Sequence, residues 1–156
     1  MKVITDLIAK GIYMELSDEL YALITKHTDI GEHYFEEGKF RKALEEYKKA
    51  FDLIPEPKTN WEASVWTLAA IGDSHFMLRE FVSALKVFEQ LMNEYHEEEN
   101  AFTRVRYGQC LLETGNLEAA REDLFAAYEM EGDELFDNDK YRKAISDLIE
   151  NRDTKE

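Results

Sequence analysis

The stretch Ile30–Pro55, IGEHYFEEGKFRKALEEYKKAFDLIP, decides the fold. Its apolar residues recur at helical spacing in two blocks: Ile30, Gly31, Tyr34 and Phe35, then Phe40, Ala43, Leu44, Tyr47, Ala50 and Phe51. Gly38 and Lys39 separate the blocks as a turn. Pro55 ends the second block, because its ring cannot continue a helix. Two short amphipathic helices joined by a tight turn make a helical hairpin. Neither helix can hide its apolar face alone, so such a hairpin needs neighbours like itself.

Working outward, the same pattern opens twice more, at Ile71-Gly72 and at Tyr107-Gly108. An alanine stands 12 residues after each glycine (Gly31 to Ala43, Gly72 to Ala84, Gly108 to Ala120), and a large residue 16 after it (Tyr47, Phe88, Leu124). This multi-position spacing resembles the tetratricopeptide repeat (TPR), whose period is about 34 residues. The first unit carries the pattern most fully, with Gly31, Tyr34, Ala43, Tyr47, Ala50 and Pro55 in place. The second has His75 where an aromatic is usual, and the third has Gly132 where a proline would stand. The resemblance implies an all-α fold: a TPR-like helical-hairpin solenoid of three repeats, with an N-terminal helix and a C-terminal capping helix.

The expected organisation is one domain over 1–156. Residues 1–16 form an N-terminal helix, 17–55 the first repeat, 61–96 the second, 101–132 the third and 138–151 the capping helix. The N-terminal stripe Val3, Ile4, Leu7, Ile8 and Ile12 covers the first hairpin or pairs with a second copy, making a homodimer through that helix. Ser17 is the expected N-cap of the first repeat's leading helix, with Asp18 and Glu19 at its positive end. Pro55, Pro57 and Asn60 mark the break before the second repeat. Tyr141, Ala144, Ile145, Leu148 and Ile149 line one face of a single last helix, which hides the end of the array.

Composition narrows the function. A net charge of −15 argues against nucleic acid, whose phosphates require a basic surface, and suits either a solubilising surface or a basic partner. No apolar run is long enough to span a membrane. The start, MKVITDLIAKG, is a poor signal peptide, and the single cysteine, Cys110, allows no intramolecular disulfide; together these point to the cytoplasm. No glycine-rich phosphate loop, nucleophile elbow, His-Glu-x-x-His run or paired-cysteine metal site is present, so neither an enzyme, a cofactor nor a metal is expected. His75 reads as a part-buried spacer and Cys110 as a small packed hydrophobe.

In TPR arrays the leading helices line a concave groove, and the face not used in packing recognises a ligand. Projected onto this chain, the resemblance implies a groove that includes Glu32 from the first unit, Trp66, Asp73 and Phe76 from the second, and Phe102, Arg106 and Gln109 from the third. Some family members hold a C-terminal carboxylate with a clamp of lysine, asparagine and arginine. Here Thr28, Glu32 and Asp73 stand near the clamp's basic and amide positions and only Arg106 fits, so clamp binding of a chaperone tail is not expected. The expected function is non-catalytic: binding a protein or peptide, of basic character, in the groove. Two narrower readings stay open. One is an immunity-type protein that neutralises a basic bacterial toxin domain, from a likeness to small acidic bacterial repeat proteins sharing the runs at 107–110 and 131–136. The other is a small TPR secretion chaperone.

Overall fold

The structure is a computed structural model and describes residues 15–155. Those residues hold α-helices and short 3-10 turns, with no strand among them. The expected helix over residues 1–16, and a homodimer through it, fall outside the described residues apart from 15 and 16. The chain forms two compact units that part between Glu80 and Phe81.

The first unit contains α1 (Asp18–Glu36), α2 (Phe40–Leu53) and α3 (Glu62–Met77). Ser17 caps α1 as expected: its Oγ accepts from the Leu20 amide at 3.3 Å, satisfying one of the donors a helix start leaves free. Helix α1 turns its buried Ile24 and Gly31 toward Ala43, Leu44, Tyr47 and Ala50 of α2. Gly31 is there for space: a Cβ built on it would lie 2.6 Å from Tyr47 Cε1. Gly38 is there for conformation, with φ at 73° and nothing within 4 Å of its Cβ position. The negative end of α2 is closed by Lys58, whose Nζ donates to the carbonyls of Phe51 and Ile54 at 2.9 and 2.6 Å. Ile24, Ala50, Ile54, Trp61 and Ala63 make one buried cluster of this unit, with Leu16, Leu20, Phe51, Leu53 and Trp66 packed around it.

The second unit contains α4 (Phe81–Asn93), α5 (Ala101–Glu113), α6 (Leu117–Glu131), a 3-10 turn at Gly132–Leu135, α7 (Asp139–Lys143) and α8 (Ser146–Asp153). Asparagines start three of these helices: the side-chain oxygens of Asn100, Asn116 and Asn138 accept from the amides of Thr103, Ala119 and Lys140. Arg104 of α5 reaches Asp123 of α6 at 2.8 Å, and burial still pushes the Asp123 carboxyl above the ordinary carboxylate range.

Three turns share one backbone geometry. The amides of Gly38, Arg79 and Gly115 donate to the carbonyls of Phe35, Phe76 and Leu112, and those of Lys39, Glu80 and Asn116 donate to Tyr34, His75 and Leu111. All three central residues have positive φ, and Arg79, at 60°, is the one that is not glycine.

Two helix boundaries depart from expectation. Helix α4 ends at Asn93, short of the end at 96 expected for the second repeat, because His96 takes φ 57° and the Glu97 amide turns back to the Leu91 carbonyl at 3.1 Å. The capping helix expected over 138–151 is two helices, α7 and α8, interrupted at Ala144 and Ile145. The cause lies on α6. Arg121 Nη1 donates to the Ala144 carbonyl at 2.7 Å, and the guanidinium also forks onto the Asp147 carboxylate at 2.9 and 2.7 Å. An acceptor that a continuous helix would direct to its own next turn is thereby taken by a side chain from elsewhere.

Candidate functional site

In the first unit the packing of α1 on α2 determines what remains outside. With Gly31 pressed on the Tyr47 ring, Glu32 and, one turn on, Glu36 stand exposed. Tyr47 itself is 6% exposed. Burial pushes its hydroxyl up to about 12, and the negative charges of Glu32, Asp73 and Glu36 push the same way. Three of the unit's helices thus place groups around one phenol: Glu32 and Glu36 from α1, Tyr47 from α2 and Asp73 from α3. Asp73 is half-buried. Trp66 and Phe76 of α3 are also half-buried, and Trp66 packs against the unit's buried apolar cluster.

At the far end of α3, burial holds His75 below its ordinary value. Its Nδ1 lies 3.5 Å from Glu80 Oε1, which in turn lies 2.8 Å from Arg41 Nη2 of α2. A cavity of about 350 Å³ opens near the α1–α2 turn, lined by Gly38, Lys39, Phe40, Arg41, Lys42 and Leu78. Its cations are engaged: Lys39 with Glu37, Arg41 with Glu80, and Lys42 over the Tyr34 ring. None of the residues expected to bind a partner lines it.

In the second unit Phe102, Arg106 and Gln109 follow one another along α5 at helical spacing. Phe102 keeps 38% of its surface exposed while its ring meets Phe88 of α4 edge to face, centroids 6.1 Å apart. Arg106 lies over that ring with Cζ 5.5 Å from the centroid, and its Nη1 donates to Gln109 Oε1 at 2.8 Å. Gln109 is only 4% exposed, so it orients Arg106 from beneath rather than offering itself at the surface. Further along, Glu113 accepts from Lys140 Nζ at 2.6 Å and the Tyr141 hydroxyl at 2.9 Å, tying α7 to α5.

The seven residues expected from the sequence therefore form two sets: Glu32, Trp66, Asp73 and Phe76 in the first unit, and Phe102, Arg106 and Gln109 in the second. Sequence reasoning missed Tyr47 and Glu36. Tyr47 was assigned to packing by its spacing from Gly31, and the packing is real; its hydroxyl end has a second character that spacing does not reveal. Among the described residues no group of three or more His, Cys, Asp or Glu is arranged to hold a metal ion, and no helix is long and apolar enough to cross a membrane.

Comparison with known proteins follows the same lines. A family model described as tetratricopeptide repeat matches residues 27–57, which contain the whole of the quoted stretch 30–55. No curated protein gives a significant match. Solved structures do. The second TPR domain of human RPAP3, in complex with the HSP70 peptide SGPTIEEVD, is 18% identical with a TM-score of 0.63, covering 83% of this chain and 97% of that one. The first TPR of Spaghetti (RPAP3), bound to the HSP90 peptide SRMEEVD, is 20% identical with a TM-score of 0.60, covering 82% and 94%. The C-terminal TPR-containing domain of a Plasmodium falciparum FK506-binding protein is 15% identical with a TM-score of 0.67, covering 90% and 95%. At these identities the likeness gives the fold: the chain is all-α and TPR-like.

Proposed function

We propose that this chain is a non-catalytic protein-interaction module that binds a protein or peptide through α5 of its second unit, with the outward faces of α1 and α3 as the binding surface of its first. One observation carries the reading: Phe102 on α5 keeps over a third of its surface exposed, with Arg106 stacked on it and Gln109 holding Arg106 in place. An exposed aromatic with an oriented arginine is the composition of an interface anchor. The TPR-like fold supports the same conclusion, since two of its structural neighbours hold peptides. Both peptides end in EEVD and are acidic, whereas the exposed Glu32 offers negative charge here. With a chain charge of −15, the favoured partner is basic. A basic bacterial toxin domain is the partner class that fits this charge most directly.

The test begins with isolation of the partner from the native host and measurement of its binding rates at two salt concentrations. Phe102→Ala raises the off-rate by about tenfold or more, the cost of truncating an anchor. Neutralising Glu97, Glu98 and Glu99 together lowers the on-rate and its salt dependence instead. Loss of binding in the triple variant with Phe102→Ala unaffected would place the site elsewhere.

A further inference from the structure

The face around Tyr47 carries more than a general preference for positive charge. Its ring is seated on the α1 backbone, with the Cβ position of Gly31 2.6 Å from Cε1 and 3.1 Å from Cζ, so the hydroxyl-bearing end is fixed beside residues 31 and 32. Tyr47 is more than nine-tenths buried, and its hydroxyl makes no hydrogen bond with any described residue. Glu32 and Glu36 stand one helical turn apart on α1, both exposed, and neither makes a hydrogen bond or ion pair with a described residue. That is unlike Glu37, Glu46, Glu80 and Glu113, which pair with Lys39, Lys49, Arg41 and Lys140. The negative charges of Glu32, Asp73 and Glu36, in that order, act on the phenol and add to the effect of its burial. The acceptors do not converge tightly enough to hold a metal ion among the described residues. They suit a group whose donors diverge.

We propose that Glu32, Glu36 and the Tyr47 hydroxyl form a cradle for the side-chain ammonium of a lysine carried by the partner. The proposal rests on the reading of the leading-helix faces as the binding surface, and names what the first unit takes. An ammonium is a compact point charge with three N–H donors, which matches three separate acceptors. A guanidinium presents a planar fork and pairs best with one carboxylate edge-on.

The probe is an acetylated, amidated peptide of five Ala-Lys repeats at physiological salt, with a twin in which every lysine is Nε-acetylated. Backbone amide spectra of the full chain locate the contact, and fluorescence anisotropy gives the affinity. Addition of the lysine peptide shifts the amides of residues 31–36 and 47. The acetylated twin binds about tenfold more weakly or less, and Glu32→Gln with Glu36→Gln weakens the lysine peptide about fivefold. Tyr47→Phe, which keeps the ring on Gly31, weakens it about twofold with the helical spectrum unchanged. Neutralising Glu97, Glu98 and Glu99 leaves the shift pattern in place. Undiminished binding by the Glu32/Glu36 double variant, equal binding of the acetylated twin, shifts confined to other residues, or the same shifts produced by calcium alone would each overturn the cradle. Retention of the native partner by the double variant, with its loss in Phe102→Ala, would remove the cradle and leave the interaction face standing.

Discussion

Two segments of the molecule are written almost alike. Residues 39–47 read KFRKALEEY and residues 140–148 read KYRKAISDL: lysine, aromatic, arginine, lysine, alanine, aliphatic, then an acid two positions on. The first lies within an unbroken helix, α2, after its opening lysine. The second breaks after five helical residues. Both arginines leave their own helix for a carboxylate, Arg41 for Glu80 and Arg142 for Asp133. The aromatics part company: Phe40 is half-buried against the edge of Phe35, while Tyr141 is 5% exposed and hydrogen-bonded to Glu113. What differs is the surroundings. The lesson is that a helical pattern states a capacity, and a donor from a distant element decides whether the capacity is used.

The aromatic pair gives the largest expected effect. Tyr141→Ala removes a buried ring and leaves the Glu113 carboxylate with one donor fewer, and should cost about 3–5 kcal/mol in urea unfolding. Phe40→Ala, from a half-buried site, should cost roughly half as much. Equal losses would mean that the two copies are packed alike. Next comes the last residue of the first copy, Tyr47. Gly31→Ala drives a methyl into its ring, an overlap of about 1–3 kcal/mol offset by about 1 kcal/mol of helix propensity. Gly108→Ala should be worse, because its Cβ would meet the backbone nitrogen of Leu124 at 3.0 Å as well as Leu124 Cγ at 2.8 Å, and backbone cannot swing aside. A ranking with Gly31→Ala the more damaging would show that the Tyr47 ring cannot tilt.

A smaller effect tests the break itself. Arg121→Ala frees the Ala144 carbonyl, so carbon chemical shifts over 143–147 should move toward helical values, with a stability loss of about 1 kcal/mol. Unchanged shifts would assign the break to Ile145 and Ser146, whose hydroxyl donates back to the Lys143 carbonyl at 3.1 Å. The smallest effect is on pH dependence, and it belongs to the first copy alone, since Arg41's partner Glu80 has His75 beside it. Burial lowers the proton affinity of His75 in the folded protein, whereas the unfolded chain takes up the proton near its ordinary value of about 6.5. Stability present above that pH is therefore lost as pH falls below it. Asp123, raised by burial, acts in the opposite direction at lower pH, so the informative quantity is the difference from His75→Gln. That variant should lose less stability between about pH 7 and pH 5.5 than the parent chain; parallel curves would show that His75 does not carry the slope.

The hairpin at 30–55 and the Ser17 cap were legible, because local spacing and capping chemistry decide them. The break at 144–145 was not, because its cause, Arg121, stands 23 residues away. Which residues of the leading helices face outward was legible in part. On α1, where Ile24 and Gly31 are buried, Glu32 could be assigned outward from the pattern. On α5 the burial of Gln109 was not legible, for a physical reason: Ala101, Thr103, Val105, Gly108, Gln109, Cys110 and Leu111 are all buried, so this helix is enclosed on more than one side and has no single polar stripe. The sequence rule that a polar residue faces water does not operate there.

Cys110 stands in that same enclosed helix, with no exposed surface, and it is the chain's single thiol. A thiol reagent added to the folded protein therefore meets nothing to react with until the second unit opens. The modification rate becomes a clock for that opening, read at one atom and with no competing site. Where reclosing outpaces the chemistry, each 1.4 kcal/mol of opening free energy slows the clock about tenfold. The same tube of protein, with and without a partner present, would then report how far binding holds the second unit shut.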